Sequence, residues 1–390
     1  MRLQISMQFD PGAEAQSLLD SLPHRPAIFA LFPDAGATPT SPPYLGRTKD
    51  LHRRLARLLG PPRANSKMLN LRDLARRIEY QAVGSPFEGQ WLAYLLNKSY
   101  YPRLYRQRLR LRPPALLKVN LRNRFPRCYP TPRLLNDGSL YYGPFPSRAA
   151  AERFAGEFLD FFKIRRCAEE LDPNPSHPGC IYSQMKMCLA PCYQGCRDEE
   201  YHQELGRVVE FLDAAGQPLL RNLEAERAQT SEALEFEQAA KIHRKLEKVH
   251  EVLRLKSDLV RNLRDLNAVV VQRGAEPKTV VFFRVFGGEL RGPATLALDE
   301  NVPSPVPLDR QLHTLLDSLT ATPGAEGRPP DASALPSWEH LSLLARWYYS
   351  SFREGELVTL NPGQQIPHAR LIRICRKLLA GEERSCSGSL

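Results

Sequence analysis

YLGRTKDLHRRLARL, from Tyr44 to Leu58, is a short strand running straight into a basic helix. Leu45 and Gly46 end the strand, Thr48 or Asp50 can cap the helix, and Leu51, Leu55 and Leu58 recur at steps of four and three. That stripe buries one face and leaves Arg47, Lys49, Arg53, Arg54 and Arg57 around the rest. A tyrosine at a strand end beside arginines on the first helical turns suits a phosphodiester. A merely solvated basic helix is the competing reading.

Upstream, AIFALF (Ala27 to Phe32) reads as a strand pairing antiparallel with the one at Tyr44 across a Gly/Thr/Ser/Pro-rich loop. Downstream, the pattern predicts a helix over Leu69–Arg77 and a third strand over Ile78–Val83. A second helix is expected over Phe87–Lys98, with Trp91, Leu92, Leu95 and Leu96 on one side and Pro102 as its stop. Leu116–Val119 and Leu140–Tyr142 bracket a hairpin-like region with Asn136-Asp137-Gly138 as a turn signal. Ser147 opens a helix to about Phe162. Asp198 to about Leu263 is helical, broken at 214–218, and Ala268–Val271 with Thr279–Val285 make a hairpin ending at Gly287-Gly288. Thr322–Pro336 reads as a linker, Trp338–Phe352 as a final amphipathic helix, and GEERSCSGSL at 381–390 as a loose tail. The fold class is α+β in four parts. Residues 1–110 form a small antiparallel sheet with flanking helices, 111–197 a basic and cysteine-rich connector, 198–263 a helical region with a hairpin, and 264–390 a partial α/β region.

The chain has 390 residues, 42% of them hydrophobic, enough for several cores. No run of about 18 apolar residues occurs, and the first residues lack a signal peptide's apolar core, so a cytoplasmic protein with no membrane contact is expected. A net charge of +11 and a pI near 9.3 favour an anionic partner, most simply nucleic acid. The charge is concentrated: between Glu88 and Asp137 there is no carboxylate, while eleven lysines and arginines occur, Arg103, Arg106 and Arg108 among them. A bound polyanion would relieve that self-repulsion and release its own counterions.

Four of the eight cysteines, Cys167, Cys180, Cys188 and Cys192, are separated by twelve, seven and three residues. Paired CxxC knuckles are spaced differently, so a zinc ribbon is not the first expectation, and either a metal or buried unligated thiols fits. Further on, Ala239, Ile242, Leu246, Val249 and Leu253 make a coiled-coil-like seam, with Leu234 and Phe236 at the turn before it.

AIF, then YLG, then an arginine eight residues past that glycine resembles a GIY-YIG nuclease fingerprint. The order of later segments resembles the UvrC family of excinucleases. These are FPRCYPTPRLLNDGSLYYGPFPSRAAAERF (125–154), GCIYSQMKMCLAPC, TSEALEFEQAAKIHRKLEKV, LNAVVVQRG and VVFFRVFGGELRGP. The resemblance covers roughly residues 24 to 300. It implies a GIY-YIG-like first part, a UVR motif in the helical region, and hydrolysis of one DNA strand 3′ of a lesion in nucleotide excision repair. By that resemblance Tyr44 would assist the attacking water, while Arg47 and Arg54 stabilise phosphate charge. A divalent Mg or Mn ion would be held by a helix glutamate, and Lys49, Arg53, Arg57, Arg103, Arg106 and Arg108 would contact DNA. The four cysteines would hold an iron–sulfur cluster, with zinc as the alternative. Leu234 and Phe236 would anchor a helicase partner resembling UvrB.

The chain departs from the pattern at four places. Phe29 replaces the tyrosine of GIY, Leu58 stands where another tyrosine is common, and Tyr105 stands where asparagine is expected. Ala93 occupies the metal-binding glutamate position. Glu88, five residues earlier, lies roughly 140° around the helix from that position. The family's RNase H-like nuclease domain and paired helix-hairpin-helix modules do not fit in the residues after Gly288, so 5′ incision is expected to be missing. Two functions are therefore carried forward: an endonuclease making a single 3′-side cut, and a non-catalytic adaptor that binds DNA and a repair partner.

Overall fold

The computed structural model describes residues 2–12, 14–36, 41–62, 68–298, 306–320, 335–361 and 363–386. The fold is α+β, built on three four-stranded antiparallel sheets. The first unit comprises β1 (Ile5–Gln8), α1 (Ala15–Asp20), β2 (Ala27–Phe32), β3 (Tyr44–Thr48), α2 (Leu51–Leu59), β4 (Arg77–Ala82) and α3 (Pro86–Tyr100). Its sheet runs β1-β4-β2-β3, with Phe29 opposite Gly46 and Leu31 opposite Tyr44. AIFALF is buried at every residue because both faces of β2 are covered. Ala27, Phe29 and Leu31 pack with Leu51, Leu55 and Leu58 of α2, whereas Ile28, Ala30 and Phe32 pack with Leu92 and Leu96 of α3. Gly46 is required by its neighbour: a Cβ there would come within 2.3 Å of the Phe29 ring.

The helix expected over Leu69–Arg77 does not form. Asn70 Oδ1 accepts the Arg72 N–H at 2.9 Å, and the Arg72 guanidinium donates to the Leu59 and Pro11 carbonyls, which holds the segment as a turn. Arg77 already belongs to β4. α3 also departs from expectation. Rather than one apolar side it has two, since Phe87, Trp91 and Tyr94 point into a second core while Leu92 and Leu96 face β2.

After the short α4 (Tyr105–Arg108), the second sheet joins β5 (Ala115–Val119), β6 (Cys128–Thr131) and β7 (Leu140–Phe145), followed by α5 (Arg148–Leu159). β5 and β7 pair as expected, but β6 lies between them in sequence and pairs on the other edge of β5, so the region is a three-strand arrangement rather than a hairpin. The cysteine-rich segment carries only α6 (Ile181–Gln184) and one 3-10 turn. Then come α7 (Asp198–Asp213), α8 (Gln217–Glu232) and α9 (Phe236–Arg254). Gly216, at φ +75°, makes the expected break before α8. Leu117, Tyr142, Phe154, Phe158, Phe211, Ile242, Leu246 and Val249 share one core, so the second sheet and the helical region bury each other.

The third sheet follows β8 (Arg261–Asn262), which adds to β7. β9 (Asn267–Arg273), β10 (Thr279–Phe286) and β11 (Glu289–Ala297) form a meander turning at Gly287-Gly288. α10 (Leu308–Ser318), α11 (Trp338–Tyr348), β12 (Glu356–Leu360) and α12 (His368–Cys386) complete it, β12 pairing with β9. The expected linker lies largely outside the described residues. The expected loose tail is instead helical to Cys386, because Leu371, Ile374 and Cys375 seat α12 on the sheet.

Candidate functional site

β3 is an edge strand, and it delivers Tyr44 and Arg47 to opposite faces because the two are an odd number of residues apart. Asp50 caps α2, accepting the Arg53 N–H at 2.8 Å, and the Thr48 hydroxyl bridges the Asp50 backbone. The first turn then carries Arg54 back over β3, where it donates to the Tyr44 hydroxyl at 3.2 Å. Thr48, Lys49, Asp50, Arg53, Arg54 and Arg57 line an open cleft of about 370 Å³. Arg47 is exposed and contacts α3 instead, leaning on Gly89 and donating at 3.5 Å to the Pro86 carbonyl.

α3 presents no carboxylate beside these groups. Ala93 packs among Ile28, Ala30 and Leu92. Glu88 is buried, and its Oε2 accepts the Gly84 N–H at 2.8 Å. Burial pushes its carboxyl up to about 7 against the opposing effect of that hydrogen bond. A side chain so enclosed and so reluctant to ionise is a poor ligand for a hard divalent cation.

The basic connector is partly consumed by structure. Arg103 is exposed. Arg106 donates at 2.6 Å to Glu339, a buried carboxylate that also accepts the Tyr94 and Tyr105 hydroxyls at 2.8 and 2.6 Å. Burial alone would raise the Glu339 pKa, but those three donors outweigh it and hold the carboxyl below its ordinary range. Arg108 donates to Asn97 at 3.0 Å and lies 3.9 Å over the Tyr101 ring. Lys118 is paired with Asp137 in the interior, and Arg124 is bidentate to Asp198.

Cys167, Cys180, Cys188 and Cys192 share one neighbourhood. Burial, helped by charge on the other three and opposed by the Ala190 N–H, pushes the Cys188 thiol up to about 11. The Cys188 sulfur accepts the Ala190 N–H at 3.3 Å across a turn with Ala190 at φ +57°. A tetrahedral zinc with bonds of about 2.3 Å needs thiolates roughly 3.8 Å apart. Among the described residues no three thiols come within 4.8 Å of one another. The donor set is soft, as thiolate-bound zinc and iron–sulfur clusters both require. Cys196 is half-buried near Cys192.

At the turn of the helical hairpin Leu234, at φ +61°, leads α8 into α9 and is 70% exposed, and Phe236 is 65% exposed. Ile242, Leu246 and Val249 below them are buried, so the seam is internal and the tip is free of it.

Two features were not anticipated from sequence. His24, Asp50 and His52 converge with ligand atoms within 4.8 Å of one another, His24 Nδ1 lying 3.1 Å from Asp50. Only the register of β2 on β3, which sets Ala27 against Thr48, reveals this proximity. A larger cleft, about 640 Å³, lies between the connector and α11. Among the described residues no helix is long and apolar enough to cross a membrane.

Comparison with known proteins is decisive for family. Residues 115–211, from β5 into α7, match the model of the UvrC/Cho excinuclease middle domain. The chain belongs to the UvrC family. This UvrC-family chain is 30% identical over 273 residues to the UvrABC system protein C of Carboxydothermus hydrogenoformans, covering 70% of this chain and 44% of that one. It is 28% identical over 276 residues to the protein of that name from Mannheimia succiniciproducens, with the same coverage. A third, from Rickettsia bellii, is 26% identical over 285 residues. The chain thus spans less than half the length of these relatives. No solved structure matches it.

Proposed function

We propose that this chain acts in nucleotide excision repair as a DNA- and partner-binding protein whose GIY-YIG-like unit grips a phosphodiester without cutting it efficiently. The observation that carries this reading is the state of α3: the half-buried Ala93 packs against a hydrophobic core and has no carboxylate to offer, and Glu88 is buried with a raised pKa. Nothing on that helix offers a metal ion the charge a displaced phosphate would need. DNA would lie against Lys49, Arg53, Arg54 and Arg57, with Arg103 extending the contact. Leu234 and Phe236 would engage a UvrB-like helicase, as the relatives' naming for the UvrABC system supports. The protein would work in the cytoplasm.

A second reading, a 3′-side endonuclease, is favoured by the contact of Arg54 with Tyr44, which keeps the phosphate-polarising half of the motif assembled. Incision of a lesion-containing duplex with Mg²⁺ or Mn²⁺ and the partner helicase separates the two. The adaptor reading expects no cut from wild type and a gain of cutting in Ala93→Glu. Cutting by wild type that Arg54→Ala abolishes would establish the endonuclease instead.

The cysteines would hold an iron–sulfur cluster, which four thiolates suit chemically, with zinc as the alternative. Protein purified without oxygen should then be brown, absorb near roughly 400 nm and carry about four irons per chain if the cluster is cubane. A colourless preparation free of iron would exclude it.

A further inference from the structure

The 640 Å³ cleft is bounded by the end of the basic connector, the turn entering α5, and one face of α11. Its charged residues are Arg112, Arg148 and Arg346, and no carboxylate lines it. Five of its lining residues are prolines, which have no N–H to offer, so hydrogen-bond donation comes from the guanidiniums and from the hydroxyls of Thr131, Ser147, Ser342 and Tyr349. Arg112 is exposed and has no intramolecular partner among the described residues. Arg148 uses Nε on Glu152 at 2.7 Å, an exposed pair of small worth that leaves its terminal nitrogens open. Arg346 is fixed by the carbonyls of Leu109 and Arg110, at 3.4 and 2.9 Å, which aim it rather than neutralise it.

The cleft also communicates with the first unit. Arg47 donates to the Pro86 carbonyl, and the ring of the next residue, Phe87, packs 5.0 Å from that of Trp347, which follows Arg346. The two guanidiniums thus share one region although they come from opposite ends of the chain. Burial, and after it the charge of Arg47, lowers the Arg346 pKa accordingly. A polyanion crossing from one to the other would relieve that repulsion. The volume equals a cube about 9 Å on edge, too small to seat a whole duplex, whose major groove alone is roughly 12 Å wide. Phe145 and Tyr349 add aromatic surface to the wall.

We propose that this cleft is a second phosphate-binding station, which takes the backbone of one unpaired DNA strand as it leaves Arg47. The proposal rests on the reading that the chain binds DNA, and adds which strand form it holds and where.

The test uses the full chain, fluorescein-labelled dT20 and a 20-base-pair duplex, with anisotropy titrations over a range of salt. Arg112→Ala combined with Arg148→Ala should weaken dT20 binding about tenfold and flatten its salt slope by roughly one, with duplex affinity changed less than threefold. The double lysine variant should bind dT20 nearly as wild type does. An unchanged dT20 affinity and salt slope in the alanine pair, with Arg53→Ala/Arg57→Ala still weakening binding, would overturn the cleft while leaving DNA binding intact. Equal losses on dT20 and duplex would overturn the single-strand assignment. A lysine pair as weak as the alanine pair would show that the arginines act through packing rather than charge, and would overturn it too. Wild type that binds neither DNA would remove the underlying reading itself.

Discussion

Glu88 sits where one side chain decides both chemistry and stability. Its folded pKa, about 7, exceeds the 4.5 of the free side chain because the carboxyl is buried. Between those values the folded chain keeps its proton while the unfolded chain has given it up. Stability from the protonated form is therefore complete below pH 4.5 and is lost as pH rises through 7. A shift of this size corresponds to about 3 kcal/mol. Glu88→Gln keeps an acceptor for the Gly84 N–H and removes the charge. It should be near wild type in urea denaturation at pH 4 and more stable by up to about 3 kcal/mol at pH 8. A variant equally destabilised at both pH values would mean that the Glu88 pKa is unshifted by folding.

At the scale of elements, the α8–α9 hairpin separates two roles along its length. Ile242, Leu246 and Val249 hold the helices to the second sheet, while Leu234 and Phe236 contact solvent. Phe236→Ala should leave the thermal midpoint within a degree or two, because exposed positions cost little, typically within about 0.5 kcal/mol. Binding to the proposed UvrB-like helicase in a pull-down should fall at least tenfold, and unchanged binding would contradict the proposed docking role. The elements legible in sequence were those whose apolar spacing had one simple cause. AIFALF, the α2 stripe and the caps at Asp50 and Ser147 are of this kind. The turn at 72–74 was not, because a helix-like pattern lost to side-chain hydrogen bonds from Asn70 and Arg72. β6 was missed because CYPT carries a proline and too few apolar residues to stand out. Of the candidate site, the residue types were legible and their faces were not. Tyr44 meets Arg54, Arg47 turns the other way, and Arg106 is committed to Glu339, more than 200 residues distant.

For the molecule as a whole, Glu339 is the clasp between the first unit and the third sheet. It gathers Tyr94 from α3, Tyr105 and Arg106 from α4, and lies on α11 itself. Glu339→Ala would leave two buried hydroxyls without their acceptor. The cost should be about 2–3 kcal/mol, below the 3–5 of a fully buried ion pair, because Arg106 is 59% exposed and regains water. The urea midpoint measures it; a loss under 0.5 kcal/mol would show that the packing around α3 holds the units together without the clasp.

α3 serves two cores at once, and this has a consequence during synthesis. Phe87, Trp91 and Tyr94 emerge early, yet many of their partners, from Ala268 in β9 to Trp347 in α11, are made only near the end. Tyr105, Leu111, Leu116 and Tyr141 follow soon after and cover part of this face. At about 5–20 residues per second, the rest waits roughly 10–50 s for the third sheet and α11. The nascent first unit can close Leu92 and Leu96 over β2, but it must carry an uncovered apolar stripe through that interval. A release of the chain before β9 would therefore yield a sticky fragment, and expression of residues 1–110 alone should require a chaperone or a polar replacement of Trp91 to remain dispersed.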